Sequence, residues 1–208
     1  MKKRYFIWLF VVLFFILSLV FDAKISVFIQ DIRNPIMDYL LLGASFGSSL
    51  TLMLLFLTTI FLYSERKRRW IIPIWLTILS TMTIGFLLKI LVKRNRPFED
   101  GIVSVASVLL YEIIYNFNTW NFSFPSLQSM LVFAVVPIIN KEFKKFKHIW
   151  IVFAAGVAFS RVYFGIHYMS DIIFGAILGY FIGYLVLIIE EKYSFGLRTM
   201  QKMKLIRR

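Results

Sequence analysis

The chain has 208 residues, of which 60% are hydrophobic and only 17% charged; its net charge is +13 and it contains no cysteine. Soluble domains sit nearer half apolar and a quarter charged, and the apolar residues here come in long unbroken blocks, so a soluble globular fold is excluded and an integral membrane protein is indicated. The missing cysteines exclude disulfides and thiolate metal sites, and the basic residues fall between apolar blocks, which marks them as topology signals rather than a nucleic-acid surface.

In chain order, "MKK" is followed by "RYFIWLFVVLFFILSLVF". The basic start resembles a signal peptide, but the apolar run is too long for an h-region and more such runs follow, so an uncleaved first helix is expected. Apolar blocks predict six spans, at 5–21, 45–63, 70–92, 126–140, 149–165 and 172–189. The stretch "ISVFIQDIRNPIMDYLLLGASFGSS" is expected to run along the interface opposite the N-terminus, before the second span. The stretch "IVSVASVLLYEIIY", 102–115, is apolar but too short to span and is interrupted by Glu112; it predicts an interfacial or re-entrant helix. The expected architecture is therefore a single domain over residues 1–208, an all-α six-helix transmembrane bundle with a short interfacial helix between spans 3 and 4.

Lysine and arginine fall unequally between the two sides of this bundle. "MKKR" carries three, "ERKRR" four, "KEFKKFK" four and the tail from Lys192 six, all on one side; seven of the 24 remain for the other. The positive-inside rule places both termini in the cytoplasm. The seven are Lys24, Arg33, Lys89, Lys93, Arg94, Arg96 and Arg161, and four of them crowd just before Pro97. A basic cluster on the outer face opposes the insertion rule, which marks it as functional.

Three short motifs fall on that outer face: "KILVKRNRP" at the end of the third span, "FPSLQS" at the start of the fourth, and "SRVYFGIHYMSD" joining the fifth to the sixth. Lys89, Arg96 and Arg161 supply three cations, costly at a membrane edge unless an anion meets them, and arginine matches the oxygens of a phosphate. Pro125–Ser126 opening a helix adds free backbone N–H groups at a positive dipole end. His167 and Asp171 are four apart, so one helical face carries both. A carboxylate on one ring nitrogen fixes the tautomer and leaves the other a free lone pair, poised to attack phosphorus. Each motif alone is an ordinary helix end or turn; the three together, on one face, are not.

The pattern Lys-x6-Arg-Pro, Pro-Ser-Gly-His and Ser-Arg-x5-His-x3-Asp resembles the type 2 phosphatidic acid phosphatase superfamily, and within it the bacterial six-helix lipid phosphatases of the phosphatidylglycerophosphate phosphatase B type. The first motif is complete as Lys89, Arg96 and Pro97, the third as Ser160, Arg161, His167 and Asp171. The resemblance implies that His167 is the nucleophile and forms a phosphohistidine, that Asp171 orients it, and that Lys89, Arg96, Arg161 and Ser126 hold phosphate. It implies no metal and no other cofactor, and a membrane lipid phosphate or diphosphate as the binding partner.

The second motif departs from the family. Pro125 and Ser126 match, but Leu127 and Gln128 stand where the family has glycine and histidine. The resemblance makes that histidine the general acid; an amide cannot deliver a proton near neutral pH. His148 follows the basic run on the opposite side and cannot substitute. General acid catalysis is worth ~10²–10⁴-fold, roughly 3–5 kcal/mol, and it matters most for an alkoxide leaving from a monophosphate. A phosphate leaving from a diphosphate departs unprotonated. Leu127 is expected to narrow the approach of backbone to phosphate. The substrate-phosphate set is thus Lys89, Arg96, Ser126, Leu127, Gln128 and Arg161. Three readings stand: a lipid phosphate phosphatase or phosphotransferase favouring polyprenyl diphosphate, a degenerate member that binds lipid headgroups without turnover, and a small transporter or channel. The last calls for strong polar residues at mid-membrane depth, and the sequence shows none.

Overall fold

The computed structural model describes residues 2–105 and 122–206, with side chains from residue 13 onward. All described secondary structure is helical: α1 (Lys2–Asp31), α2 (Pro35–Gly47), α3 (Leu50–Leu62), a 3-10 turn at Glu65–Trp70, α4 (Ile71–Val92), α5 (Leu127–Ala134), α6 (Val136–Glu142), α7 (Lys147–Tyr163), α8 (Met169–Tyr193) and α9 (Phe195–Lys202).

Local chemistry sets several boundaries. Asn34 caps α2, its side-chain oxygen accepting from the Met37 N–H at 3.0 Å, with Pro35 in the first helical position. α4 ends where Lys93 turns left-handed at φ 51°. Ser126 caps α5, accepting from the Ser129 N–H at 3.5 Å. The Asp171 carboxylate caps α8 by accepting from the Tyr168 N–H at 2.9 Å.

α8 is the axis of the bundle. Its first turn lies beside the end of α7, its flank against α1, and its length against α5. Contacts between Phe15 and Phe174 and between Asp22 and Ser170 show α1 running antiparallel to it. Gly175, Gly179 and Gly183 form a strip along α8 on which α5 lies backbone to backbone. A Cβ built at those positions would stand 2.8 Å from the Ser126 oxygen, 2.1 Å from the Met130 oxygen and 1.7 Å from the Ala134 oxygen. Close helix packing over small residues is how apolar helices associate without a hydrophobic driving force. A core of Leu57, Phe61, Trp70, Ile74, Val132 and Ile138 fills the end of the bundle away from that first turn. There Glu190 accepts from the Gly196 N–H at 2.7 Å and faces Arg69 at 3.6 Å.

The spans differ from those expected. Among the described residues three helical stretches, Leu13–Asp31, Glu65–Val92 and Met169–Tyr193, are long and apolar enough to cross a membrane, or four if α2 and α3 count as one span bent by 66°. The first helix does not stop at residue 21 but continues to Asp31, and the segment expected on an interface forms the end of α1 and all of α2. The fourth predicted span is two short helices meeting at Val135, where Pro137 has no N–H to continue the first ladder. The predicted helix at 102–115 falls largely outside the described residues.

Candidate active site

The three motifs converge at one end of the bundle. The last turn of α4 brings Lys89, the following loop Arg96, the start of α5 Ser126, the end of α7 Arg161, the 164–168 turn His167, and the first turn of α8 Asp171. All six are buried, none more than 8% exposed. The Ser126 N–H donates to the Asp171 backbone oxygen at 3.2 Å, joining the second motif to the third.

Lys89 and Arg161 are held by neutral oxygens. The Lys89 ammonium donates to the Phe122 carbonyl. Arg96 donates through Nη1 to the Ile166 carbonyl at 2.6 Å. Arg161 donates through Nη1 to the Ser45 hydroxyl, and its Nε is buried without a partner. Neither Lys89 nor Arg161 has a carboxylate partner among the described residues. Buried cations in this state favour an incoming anion.

His167 lies between opposite environments. Its Nε2 is 3.4 Å from Arg96 Nη1, and its Nδ1 is 3.5 Å from both Ser123 Oγ and Asp171 Oδ2. A guanidinium is donor-only, so the nitrogen facing it carries the lone pair and Nδ1 carries the hydrogen. The ring lone pair therefore points at the Arg96 guanidinium. Burial, with the charges of Arg96, Lys89 and Arg161, holds the imidazole well below its ordinary titration range and keeps it neutral. Asp171 is fixed on every side. Its Oδ2 accepts from the Ser123 hydroxyl and the Tyr168 N–H, and its Oδ1 accepts from Arg94 at 2.8 Å.

Leu127 and Gln128 meet α4 and α2. The Leu127 side chain turns to α4, where a Cβ on Gly85 would lie 2.3 Å from its Cδ2. Gly85, one turn before Lys89 on α4, leaves room for this side chain. Gln128 donates through Nε2 to the Ser45 carbonyl at 3.4 Å, while its Oε1 is buried without a partner. His148 opens α7, thirteen residues before Arg161 and thus about 20 Å along the helix.

Four contributors had no role read from the motifs. Ser123 bridges His167 and Asp171, Arg94 holds Asp171 from behind and is itself held by Asp22, and Ser45 gathers Arg161 and Gln128. Arg94 belonged to the outer basic cluster, and Asp22 was a lone carboxylate in an apolar helix; Ser123 and Ser45 carried no signal. Among the described residues no three His, Asp or Glu side chains lie close enough to hold a metal ion.

A family model described as the PAP2 superfamily matches residues 70–194, a stretch that contains all three motifs. The chain belongs to the PAP2 superfamily. It is 26% identical over 162 residues to the Bacitracin transport permease protein BcrC of Bacillus licheniformis, covering 78% of this chain and 74% of that one. It is 26% identical over 187 residues to the Lipid A 4'-phosphatase of Bacteroides thetaiotaomicron, covering 86% and 80%. Its fold matches the crystal structure of a transmembrane PAP2 type phosphatidylglycerolphosphate phosphatase from Bacillus subtilis with a TM-score of 0.69 at 23% identity, over 89% of this chain and 96% of that one. It also matches Aquifex aeolicus LpxE with a TM-score of 0.61 at 24% identity, over 80% and 94%. The chain is thus a multi-pass membrane protein of a lipid phosphatase family.

Proposed function

We propose that this PAP2 member is a membrane lipid phosphate phosphatase or phosphotransferase that works through a His167 nucleophile and favours lipid diphosphates, polyprenyl diphosphate above all. The observation that carries the reading is the two-sided environment of His167: a lone pair aimed at Arg96, with Ser123 and Asp171 behind the ring. Attack of Nε2 on phosphorus breaks the bond to the leaving oxygen and places positive charge on the ring, which Asp171 balances. Lys89, Arg96, Arg161 and the α5 N-terminus neutralise the phosphoryl oxygens. Water, or another acceptor, then takes the phosphoryl group from the ring.

The preference for diphosphates follows from Gln128. With an amide at the general-acid position, a leaving group that departs as phosphate loses less than one that departs as alkoxide. The lipid character is supported by an apolar groove of about 570 Å³ along α1, lined by Leu17, Phe21, Ile25, Phe28, Phe159 and Met169 and opening beside the first turn of α8. It is supported too by relatives named for phosphate removal, a lipid A 4'-phosphatase and a phosphatidylglycerolphosphate phosphatase. On this reading the site lies at the outer face of the cell membrane. Both termini and the runs around Arg68, Lys144 and Lys202 then lie at the cytoplasmic end.

The test is phosphate release by purified protein in detergent, with a chelator present, from polyprenyl diphosphate, polyprenyl monophosphate and phosphatidic acid. The expected result is fastest release from the diphosphate and none from His167→Ala. Equal release by His167→Ala overturns the mechanism. Binding of all three lipids without release makes the protein a non-catalytic binder.

A further inference from the structure

Asp22 is the only carboxylate in the first 30 residues, and it is 4% exposed within a membrane-crossing stretch of α1. An ionised group there is costly unless paired. It lies outside the residues matched by the family model, yet it reaches the catalytic end of α8. Its Oδ1 accepts from the Ser170 N–H at 2.9 Å; its Oδ2 accepts from Arg94 Nη2 at 2.8 Å and from the Ser170 hydroxyl. The same guanidinium donates through Nη1 to Asp171 Oδ1 at 2.8 Å and to Ser170 Oγ at 2.7 Å, and it lies over the Tyr168 ring at 4.0 Å. Tyr168 in turn donates to Asp100 at 2.6 Å. Arg94 therefore stands between two carboxylates, one of which faces His167.

We propose that Asp22 and Arg94 are positioning residues that act on His167 through Asp171: Arg94 locks the Asp171 carboxylate, and Asp22 cancels the charge that Arg94 brings. The proposal rests on the reading of His167 as nucleophile. The geometric half is direct. With Oδ1 held by Arg94, Oδ2 is the oxygen left for Ser123, the Tyr168 N–H and the imidazole. The electrostatic half follows from charge. Arg94 alone would draw on the Asp171 charge that must balance the ring once it carries phosphate. It would also add a fourth cation to Lys89, Arg96 and Arg161, strengthening the hold on product phosphate. Asp22 offsets both effects.

Asp22→Asn removes the charge and keeps the shape: the amide oxygen still accepts from the Ser170 N–H, while its NH2 replaces the oxygen that accepted from Arg94. For polyprenyl diphosphate the expected result is a kcat about tenfold lower, KM unchanged or lower, and inorganic phosphate inhibiting at lower concentration. A contact that only supports folding would lower the yield of active protein without tightening phosphate inhibition. Arg94→Gln is expected to lower kcat as well. In the Arg94→Gln background Asp22→Asn should change kcat less than twofold, because the charge it cancels is gone; this arm stays readable if Asp22→Asn alone gives no folded protein. Wild-type kcat and phosphate inhibition in Asp22→Asn, or losses that multiply in the double variant, overturn the proposal. His167→Ala runs alongside. If it retains wild-type release, the nucleophile reading fails; if it is inactive while Asp22→Asn behaves as wild type, only the positioning role fails.

Discussion

Replacing Asp171 with asparagine keeps the shape of a fully buried side chain and removes its charge. The carboxylate serves donors on both oxygens: the Ser123 hydroxyl, the Tyr168 N–H and, at 3.5 Å, His167 Nδ1 on one, and Arg94 on the other. An amide has one accepting oxygen. Turned toward Tyr168 and Ser123, it presents its NH2 to the donors of Arg94; reversed, it presents NH2 to the Tyr168 N–H and disturbs the ring. Once the imidazole carries phosphate it is positive. Two unit charges 3.5 Å apart attract by about 5 kcal/mol at an effective dielectric of ~20. The amide dipole retains part of this, leaving a loss of about 3–4 kcal/mol, or ~10²–10³-fold in kcat. KM should hardly move, because Asp171 is behind the ring and not among the phosphate-binding cations. Steady-state phosphate release from polyprenyl diphosphate measures both constants, and a thermal melt shows whether the variant folds. A kcat within fivefold of wild type, in a variant that melts like wild type, refutes the role given to Asp171.

Restoring the acid with Gln128→His and Leu127→Gly together should raise the monophosphate rate by ~10²-fold or more and leave the diphosphate rate nearly unchanged; equal gains on both substrates would contradict the leaving-group argument. Protonation of His167 destroys the nucleophile, and its titration is depressed by burial and by Arg96, Lys89 and Arg161. The acid limb of kcat/KM should therefore fall below pH 6.5, and a limb above that value would mean another group controls it. Lys89→Ala, Arg96→Ala and Arg161→Ala should each cost about 2–4 kcal/mol in kcat/KM, read from the same assay, and a loss under threefold in any of them removes that residue from the phosphate site.

The grouping of the candidate-site residues was legible because motif spacing survives without a fold. Lys89 and Arg96, or His167 and Asp171, are close along the chain, and rare charged types in apolar sequence stand out. What escaped is what only packing creates. Ser123 and Ser45 are ordinary serines until a helix end carries one beside His167 and the other beside Arg161. The first span was cut at residue 21 because Asp22 and Lys24 follow, and a charge in an apolar run reads as its end. In the folded chain Asp22 is paired with Arg94, so the helix runs on to Asp31. The six-span count assumed one straight helix per apolar block, whereas the break at Ser48–Ser49 and the junction before Pro137 divide two of those blocks.

The glycine strip on α8 explains where the second motif could change. Ser126 is fixed by that helix: its N–H is committed to the Asp171 oxygen, and its own carbonyl lies over Gly175. A side chain at Gly175 would push the two backbones apart. The next two side chains leave the seam, Leu127 toward Gly85 of α4 and Gln128 toward Ser45 of α2. Those are the two positions at which this chain departs from the family pattern. The departures from the motif thus begin where the chain leaves the backbone seam on α8 and its side chains turn to other helices.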